Sequence, residues 1–398
     1  MTVLDSPLVS TLGKRSFFPD HVAFAPRADI SHLKLLGLPS SAADTVSTTM
    51  MGVMNGRATV RHKGGTTPVA LGMIARSGIE VSEDMRTFST PEEAYRHALN
   101  LIREGHKLAW PYPPQKGKYP ESANYVVPRL WRKLNSKRNL PLIAPGEYLA
   151  DRSVISIDTE SAPEIATPCY IKSGSDMPTG MGYAVRYCES QAEIKAAWDF
   201  FKSLDGVDEI IVEEAVPVRG CWCVSLSIDD EGVRYLGAAD QLFSAPAHQI
   251  GNIIDENDPF PMGGVKAALA IGENARTMGF RGPAGMDIGV SDEGRIVVFD
   301  PNFRTQASTQ QAMFHPAAAK RGGFHASRSL NVNSDLDIRD AERALRRHID
   351  SGRVVICRAI DGREMPSVTS ASIVTGFVLG ESRDDANIWH TKITKCLD

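Results

Sequence analysis

A hairpin late in the chain, residues 286–302, restricts the fold more than any other feature of the sequence. Its letters, MDIGVSDEGRIVVFDPN, form two apolar runs separated by an acidic turn that ends in glycine. Asp287 lies on the first predicted strand and Asp300 on the second, so antiparallel pairing places the two carboxylates across from each other. Asn302 follows Asp300 at a two-residue step and therefore shares its face. The sequence thus predicts a sheet that presents several oxygen ligands together.

This set of side chains suits magnesium and phosphate. Mg²⁺ prefers oxygen ligands, a few from the protein and the rest from phosphates and water. Arg304 follows Asn302 by two residues, and a guanidinium matches a phosphoryl or carboxylate group with a two-pronged contact. The alternative, on the hairpin alone, is a solvated strand face with an Asp–Arg ion pair.

A lysine followed by a glycine-containing loop is the second candidate. Lys172 ends the apolar strand PCYIK, and the loop SGSDMPTGMG contains Gly174, Gly180 and Gly182. Glycines let backbone N–H groups approach an anion closely, so such a loop can close over nucleotide phosphates. The alternative is a mobile surface hairpin with a solvated lysine.

The third candidate is the segment IIVEEAVP, residues 210–217. An apolar strand, two acids (Glu213 and Glu214), another apolar pair and Pro217 are typical of a chain that passes between domains. Backbone groups at such a crossover can pair with an adenine edge. The alternative is an ordinary edge strand with exposed acids.

Composition sets the class of protein. A chain of 398 residues with 42% apolar residues allows two or three domains with large cores. The net charge of −4 and the lack of basic runs favour neither a nucleic-acid nor a membrane partner. No apolar stretch reaches the ~18 residues of a membrane helix, and no signal peptide is evident, so we expect a cytoplasmic protein. The six cysteines form no CxxC pair, and we expect Cys221 and Cys223 to fill space as reduced thiols.

Three regions of the chain differ in their sequence patterns. Residues 1–130 mix short strands with an amphipathic helix at 92–105 and read as a small α/β domain without a GxGxxG fingerprint. Residues 131–216 alternate strands and a helix around the glycine loop. Residues 217–398 contain two hairpins, two further helices, a strand and a terminal helix. The predicted fold class is therefore α/β (α+β).

Together these motifs resemble the ATP-grasp superfamily. The family's strand-ending lysine with a glycine loop, its VEEF(I/V)P hinge and its EINPR-like motif correspond here to YIKSGSDMPTGMG, VEEAVP and DPNFR. The segments GFRGPAGMD (279–287) and KLNSKRNLPLIAP (133–145) resemble the family's first metal segment and its earlier ATP-contacting lysine. The resemblance covers about 131–309. It implies an ATP-grasp fold with an N-terminal domain (1–130), a lid (131–216) and a C-terminal metal and substrate subdomain (217–398).

The resemblance also implies roles for individual residues and names ATP and Mg²⁺ as cofactors. Lys137 and Lys172 would contact phosphates, with Lys172 and Arg304 acting in catalysis. The ATP-binding set is completed by the lid and hinge residues Gly180, Gly182, Glu213, Glu214 and Val216. The metal ligands would be Asp287, Asp300 and Asn302. Two departures stand out, because Arg219 occupies the usual region of the ribose-binding acid, and both metal acids are aspartates.

The implied reaction joins a carboxylate to an amine through an acyl phosphate and releases ADP and phosphate. The parts outside the core motifs look similar to peptide ligases of natural-product pathways, such as those for pheganomycin and tabtoxin. Substrates would be amino acids or small peptides, and Arg281, His248, Ser308 and Thr309 are candidates to bind them. Related ligases are often dimers, which leaves a homodimer open. Two alternatives remain: an ATP-grasp enzyme that uses bicarbonate or another acceptor, and a non-catalytic ATP-binding module.

Overall fold

A computed structural model describes residues 7–27, 39, 41–159, 162–176 and 182–398. Gly180 of the predicted lid lies outside these residues. Three β-sheets organise the described chain, two with four strands and one with eight.

The first sheet is parallel, with the strand order β3-β2-β1-β4. The elements of this part of the chain are β1 Val22–Phe24, α1 Ala42–Thr45, β2 Ala58–His62, α2 Pro68–Arg76, β3 Asp84–Phe88, α3 Pro91–Arg103, β4 Lys107–Ala109 and α4 Pro128–Asn135. The amphipathic helix predicted at 92–105 is α3, which Thr90 caps by accepting a hydrogen bond from the Glu93 N–H. In an open parallel sheet, ligands bind beyond the carboxyl ends of the strands, so this edge is the one that bears on function.

The second sheet is antiparallel and has the order β5-β8-β6-β7. Its elements are β5 Arg152–Ser156, β6 Cys169–Ser173, β7 Val185–Cys188, α5 Gln191–Lys202 and β8 Glu209–Glu214. Helix α5 buries Ile194, Trp198 and Phe201 against the sheet, and Ser190 accepts a hydrogen bond from the Glu193 N–H at its start. The capping motif predicted from Ser190 and Glu193 is therefore present. This unit carries the lysine and the glycine loop.

The third sheet has the order β13-β12-β9-β10-β11-β14-β16-β15, with antiparallel neighbours throughout. The elements of this part are β9 Gly220–Ile228, β10 Val233–Ala245, β11 His248–Asp255, α6 Met262–Thr277, β12 Gly282–Val290, β13 Ile296–Asn302, α7 Thr309–Gly322, β14 Ala326–Ser334, α8 Ile338–Asp350, β15 Val354–Asp361, β16 Ser372–Gly380 and α9 Arg383–Lys395. Both predicted hairpins, β9–β10 and β12–β13, are present. Strands β11, β14 and β16 and helix α7 were not predicted from the sequence.

The first turn of α7 lies across the middle of the eight-stranded sheet. Within that turn, the Thr309 hydroxyl lies 3.4 Å from the Ser225 hydroxyl on β9, and the Gln311 amide donates to the Ser327 hydroxyl on β14 at 3.1 Å. Three strand steps separate β9 from β14, about 14 Å on a flat sheet. One helical turn spans this distance because Thr309 and Gln311 project from opposite sides of the helix. Helix α6 packs on the other face.

The N-terminal part packs against the C-terminal edge of this sheet. Helix α2 lies along the edge strand β15, and the Ile356 N–H donates to the Ser77 hydroxyl at 2.8 Å. One apolar core contains side chains from both parts, including Met73 and Ile74 of α2 and Val355 of β15. Of the helices among the described residues, none combines the length and apolar character that a membrane crossing requires.

Candidate functional site

The β12–β13 hairpin brings the predicted metal ligands together. Asp287 pairs with Asp300 and Gly285 pairs with Asn302, so both acids and the amide share one face. The same pairing continues to β9, where Cys223 lies opposite Asp287. The geometric prediction from residues 286–302 is confirmed, whereas metal binding stays a prediction.

Asp287 is surrounded by neutral donors. Its Oδ1 accepts hydrogen bonds from the Gln241 amide at 2.7 Å, the Cys223 thiol at 3.2 Å and the Gln306 amide at 3.4 Å. Burial, and then the charge of Asp300, raise the pKa of Asp287 above its ordinary value. A half-buried carboxylate held by neutral groups beside a second carboxylate favours a cation at this point.

The sequence did not single out Gln241 or Gln306, and it suggested a space-filling role for Cys223. Gln306 reaches Asp287 by lying across Gly285, where a Cβ would meet the Gln306 amide oxygen at 2.1 Å. Burial raises the pKa of the Cys223 thiol well above its usual range, so the thiol stays protonated and can donate. A clue existed in the alternation of polar residues on β9 and β10, but only the register shows which carboxylate they face.

Lys137 reaches the second carboxylate. Its ammonium lies 2.5 Å from Asp300 Oδ2, and its side chain is buried. A short 3₁₀ helix, Lys137–Leu142, positions it, and the Arg152 guanidinium donates to the Lys137 carbonyl at 2.8 Å. The lysine predicted from KLNSKRNLPLIAP is therefore at the carboxylate pair.

Lys172 is buried on β6 and forms an ion pair with Glu213 on β8. Its ammonium also donates to the Phe299 carbonyl at 3.3 Å, next to Asp300. Arg152 lies 3.7 Å from the other oxygen of Glu213, and burial lowers the pKa of Arg152. Arg152 is thus a third cation beside the two predicted lysines, and no motif in the sequence indicated it.

The predicted hinge needs a correction at Glu213. Strand β8 is central in its sheet, and Glu213 pairs with Arg152 on one side and Tyr170 on the other. Its backbone groups therefore face neighbouring strands and are not free for adenine, contrary to our expectation. Its side chain, which holds Lys172, is the part that faces the site.

The other two predicted hinge residues, Glu214 and Val216, have different surroundings. The Glu214 N–H donates to the Asp151 carbonyl at 2.8 Å, and its carboxylate pairs with Arg295, which lowers the pKa of Glu214. Both the N–H and the side chain of Glu214 are thus engaged within the protein. Val216 follows the strand and is buried against Ala150 and Val297, and a role for its backbone in binding adenine stays a prediction.

The glycine loop meets the tip of the β10–β11 hairpin. Gly182 has a φ of +69°, and a Cβ there would lie 2.4 Å from the Ala247 carbonyl oxygen. His248, next to Ala247, is exposed and contacts the Ser244 hydroxyl through Nδ1 at 2.7 Å. His248 is therefore at the lid contact, away from the buried carboxylates.

Arg304 and Arg281 line one cleft between the N-terminal part and the large sheet. This cleft is mostly apolar, with Trp110, Phe280 and Trp131 among its walls. The Arg304 guanidinium lies over the Tyr112 ring at 5.2 Å from its centroid. No carboxylate of the described chain forms an ion pair with Arg304.

Arg281 is less available than we expected. Its guanidinium pairs with Asp230 at 2.7 Å and donates to the Arg276 and Phe280 carbonyls. Arg281 precedes Asp287 by six residues of extended chain, a distance of about 20 Å along the direction of β12. The structure thus places Arg281 in the cleft but gives its donors partners within the protein.

Ser308 and Thr309 begin α7 beside the carboxylates. The Thr309 hydroxyl accepts from the Gln306 N–H at 2.9 Å and lies 3.4 Å from Ser225, so it fixes the turn. The Ser308 hydroxyl is buried next to Cys223 and has no hydrogen-bond partner within the described ranges. Substrate binding by Ser308 and Thr309 stays a prediction.

The side chains fit magnesium together with a nucleotide. No group of three or more His, Cys, Asp and Glu residues that could hold a metal occurs in the part of the chain that the structure describes. Two carboxylates and an amide oxygen are too few for a metal cage built from protein alone. They are the number expected when phosphates and water supply the remaining ligands of Mg²⁺.

Two family models match the chain. Residues 14–132 match the L-aspartate–L-methionine ligase N-terminal domain, and residues 150–302 match the L-aspartate–L-methionine ligase ATP-grasp domain. Together they span well over half of the chain. The second match contains Lys172, Glu213, Asp287, Asp300 and Asn302.

Solved structures agree on the fold. An L-amino acid ligase from Bacillus licheniformis is 10% identical with a TM-score of 0.55, over 95% of this chain and 97% of that one. Biotin carboxylase from Campylobacter jejuni is 11% identical with a TM-score of 0.55, over 94% and 90%. N5-carboxyaminoimidazole synthetase from Staphylococcus aureus, complexed with ADP, is 9% identical with a TM-score of 0.54, over 100% of both chains.

At these identities the solved structures show a shared ATP-grasp fold, and the two family models show which family the chain belongs to. The chain belongs to the L-aspartate–L-methionine ligase family of ATP-grasp enzymes, ligases that use ATP to form a carbon–nitrogen bond between amino acids and release ADP.

Proposed function

We propose that this protein joins L-aspartate to L-methionine, with aspartate as the activated carboxylate and methionine as the amine. The observation that carries the proposal is the match of both the N-terminal and the ATP-grasp domain models of that ligase to one chain. The apolar cleft beside Arg304 supports it, because a thioether side chain packs well against aromatic rings.

The cations around the carboxylate pair would receive the nucleotide phosphates. Asp300 forms an ion pair with Lys137, and Glu213 lies beside both Lys172 and Arg152. Magnesium bound at Asp287, Asp300 and Asn302 would neutralise phosphate charge. In such a transfer the protein supplies positioning and charge stabilisation rather than covalent chemistry.

Arg304 would act at the reacting carboxylate. It lies two residues beyond Asn302, its N–H donates to the Asn302 carbonyl at 2.8 Å, and its guanidinium borders the cleft. It is therefore placed between the phosphate site and the space for a substrate. There it can hold the carboxylate during phosphoryl transfer and later stabilise the oxyanion formed when the amine attacks.

Ser308 and its neighbours would hold the other polar groups of an amino acid. The Gln306 amide oxygen, the Asn252 amide nitrogen and the Ser308 hydroxyl are buried and without partners among the described residues. Buried polar atoms of this kind normally have a partner, so several around one point indicate a ligand.

A substrate matrix tests the proposal. Purified protein, ATP and Mg²⁺ are combined with every pair of amino acids, and phosphate release and product mass are measured. We expect the largest phosphate release with aspartate plus methionine and a product of the mass of their dipeptide. A different best pair would reassign the substrates, and bicarbonate-dependent release without an amine would replace amide formation by carboxylation.

A further inference from the structure

A row of polar side chains crosses the face of the large sheet that α7 covers, from one edge to the other. The row begins at the carboxylate pair, and each strand contributes at least one member. In strand order its members are Asp300, Asp287, Cys223, Gln241, Asn252, Ser329 with Asn331, Thr375 and Arg358. The first five surround the site described above, whereas Arg358 at the far end has no role in it.

The Arg358 guanidinium has fewer hydrogen-bond acceptors around it than its donors require. Its Nε and Nη2 both donate to a single oxygen, the Thr375 hydroxyl, at 3.1 and 2.7 Å. Its Nη1 makes only a 3.5 Å contact with the Thr45 carbonyl. The Thr375 hydroxyl in turn donates to the Asn331 amide oxygen at 3.1 Å, and Asn331 is exposed. The two-pronged side of the guanidinium thus faces a hydroxyl where a carboxylate would satisfy both donors.

No acid within the described ranges pairs with Arg358. The nearest acid along the contacting segment is Asp44, next to Thr45, and it forms an ion pair with Arg27 at 2.7 Å. Burial lowers the pKa of Arg358 to about 10, which still leaves the guanidinium charged near neutral pH. A cation without an anionic partner on a partly open polar face favours the binding of an anion over a purely structural role.

Two observations place this cation near the reaction. The first turn of α7 contacts β9 and β14, and its Gln310 side chain accepts from the Met50 N–H and donates to the Met51 carbonyl, a few residues beyond the Thr45 carbonyl that Arg358 contacts. The parallel sheet of the N-terminal part faces the row with its carboxyl ends. Arg304 lies beside the segment that follows β4, whereas β15, which carries Arg358, packs against the turn Lys63–Gly65 that follows β2.

Only β1 separates β4 from β2, so the ends of these two strands lie on the order of 10 Å apart. Arg304 and Arg358 therefore both lie near the carboxyl edge of the parallel sheet.

We propose that Arg358, oriented by Thr375 and Asn331, binds the substrate carboxylate that the reaction does not consume. This proposal rests on the function proposed above, because an amino-acid ligase must hold one carboxylate at the phosphate and leave the others intact. For aspartate and methionine two carboxylates qualify: the side-chain carboxylate of aspartate and the α-carboxylate of methionine. The chemistry of recognition is the same for both, and the experiment separates them.

The experiment compares wild type with Arg358→Met at saturating ATP. The donor arm uses aspartate and asparagine, and the acceptor arm uses methionine and methioninamide. We expect wild type to prefer the carboxylate over the amide in one arm by on the order of 10- to 100-fold in kcat/KM, the effect of a charged hydrogen bond. Arg358→Met should reduce that preference to within a few-fold, with KM for ATP unchanged, and Arg358→Lys should restore part of it.

Arg328→Met is the matched control, since Arg328 lies on the opposite face of β14 and contacts Asn387 of α9. It should leave both preferences unchanged, and thermal unfolding of all variants reports any loss of fold. If wild type turns over aspartate and methionine but Arg358→Met keeps both preferences within twofold, the role of Arg358 is refuted while the function stands. If the substrate matrix yields another pair, the two arms are run on its acid–amide analogues, and unchanged preferences there refute Arg358 equally.

Discussion

At the residue scale, the two aspartates of the hairpin have different surroundings and therefore different tasks. Asp300 pairs with Lys137, whereas Asp287 accepts hydrogen bonds from a thiol and two amides. The carboxylate pair itself was predictable from a period-two pattern around a turn. The neutral donors were not, because they come from β9, β10 and the segment before α7, and only the strand register and the open space at Gly285 bring them to Asp287.

Asp300→Asn should abolish turnover while leaving the fold intact. The substitution keeps the shape of the side chain but removes one of two negative ligands for magnesium. Steady-state phosphate release and thermal unfolding check both halves of this expectation. Turnover like that of wild type, with an unchanged magnesium requirement, would remove Asp300 from the site.

Asp287→Asn should raise the thermal stability of the protein without nucleotide and abolish turnover as well. It removes a half-buried charge that forms no ion pair with the described residues and that repels Asp300, so the folded state loses an unfavourable interaction. Thermal unfolding with and without Mg-nucleotide measures the effect. A decrease in stability would show that the thiol and amides compensate the charge fully.

Arg304→Lys should lower kcat by roughly 10²-fold or more. Lysine keeps the charge but loses the two-pronged geometry, and the loss is the size seen when one oriented oxyanion donor is removed. The control is Arg281→Lys, because Arg281 borders the same cleft but is held by Asp230. Equal losses for both variants would contradict a special role for Arg304.

At the scale of elements, individual strands and helices could be predicted from their own sequence patterns. Which elements pack against each other could not. The β-branched and aromatic residues of β6 and the helical periodicity of α5 predicted these elements from the sequence. The polar strands β11 and β14 escaped because one face of each carries Asn and Ser residues, which read as loop. The same polarity now supplies members of the polar row on the face that α7 covers, so the failure falls at residues proposed to act in function.

Gly182→Val should weaken nucleotide binding by about tenfold in KM for ATP. A side chain at φ +69° is strained, and here it would also meet the Ala247 carbonyl and hold the lid away from the β10–β11 hairpin. The comparison is Gly105→Val, where φ is +94° but no atom lies within 4 Å of a Cβ. A similar KM for both variants would mean that the lid contact has no part in binding.

At the scale of the whole molecule, the candidate site and the cleft beside it need all three sheets. The lid sheet supplies Lys172 and Glu213, the large sheet supplies the carboxylates, and the parallel sheet supplies the wall that faces Arg304. The order of the three regions could be predicted from composition and motifs. Their mutual arrangement could not, since it depends on apolar contacts between residues that lie far apart in the sequence, such as Met73 and Val355.

Because the cleft lies between these parts, ATP cleavage should depend on both substrates. We expect slow release of ADP from the protein alone and at least tenfold faster release when a carboxylate and an amine are both present, since a closed cleft excludes water from the acyl phosphate. Nucleotide analysis by chromatography with each substrate omitted in turn measures this. Equal rates with the amine omitted would show that water reaches the intermediate freely.

The packing of α2 along β15 has a consequence for how the protein stays in solution. Strand β15 is the last in an eight-stranded sheet, and an uncovered last strand offers its backbone to other chains. Helix α2 covers it, with Ser77 accepting the Ile356 N–H. The N-terminal part therefore protects the large sheet from self-association, and the remainder of the chain expressed alone would aggregate through that edge even with every substrate contact preserved.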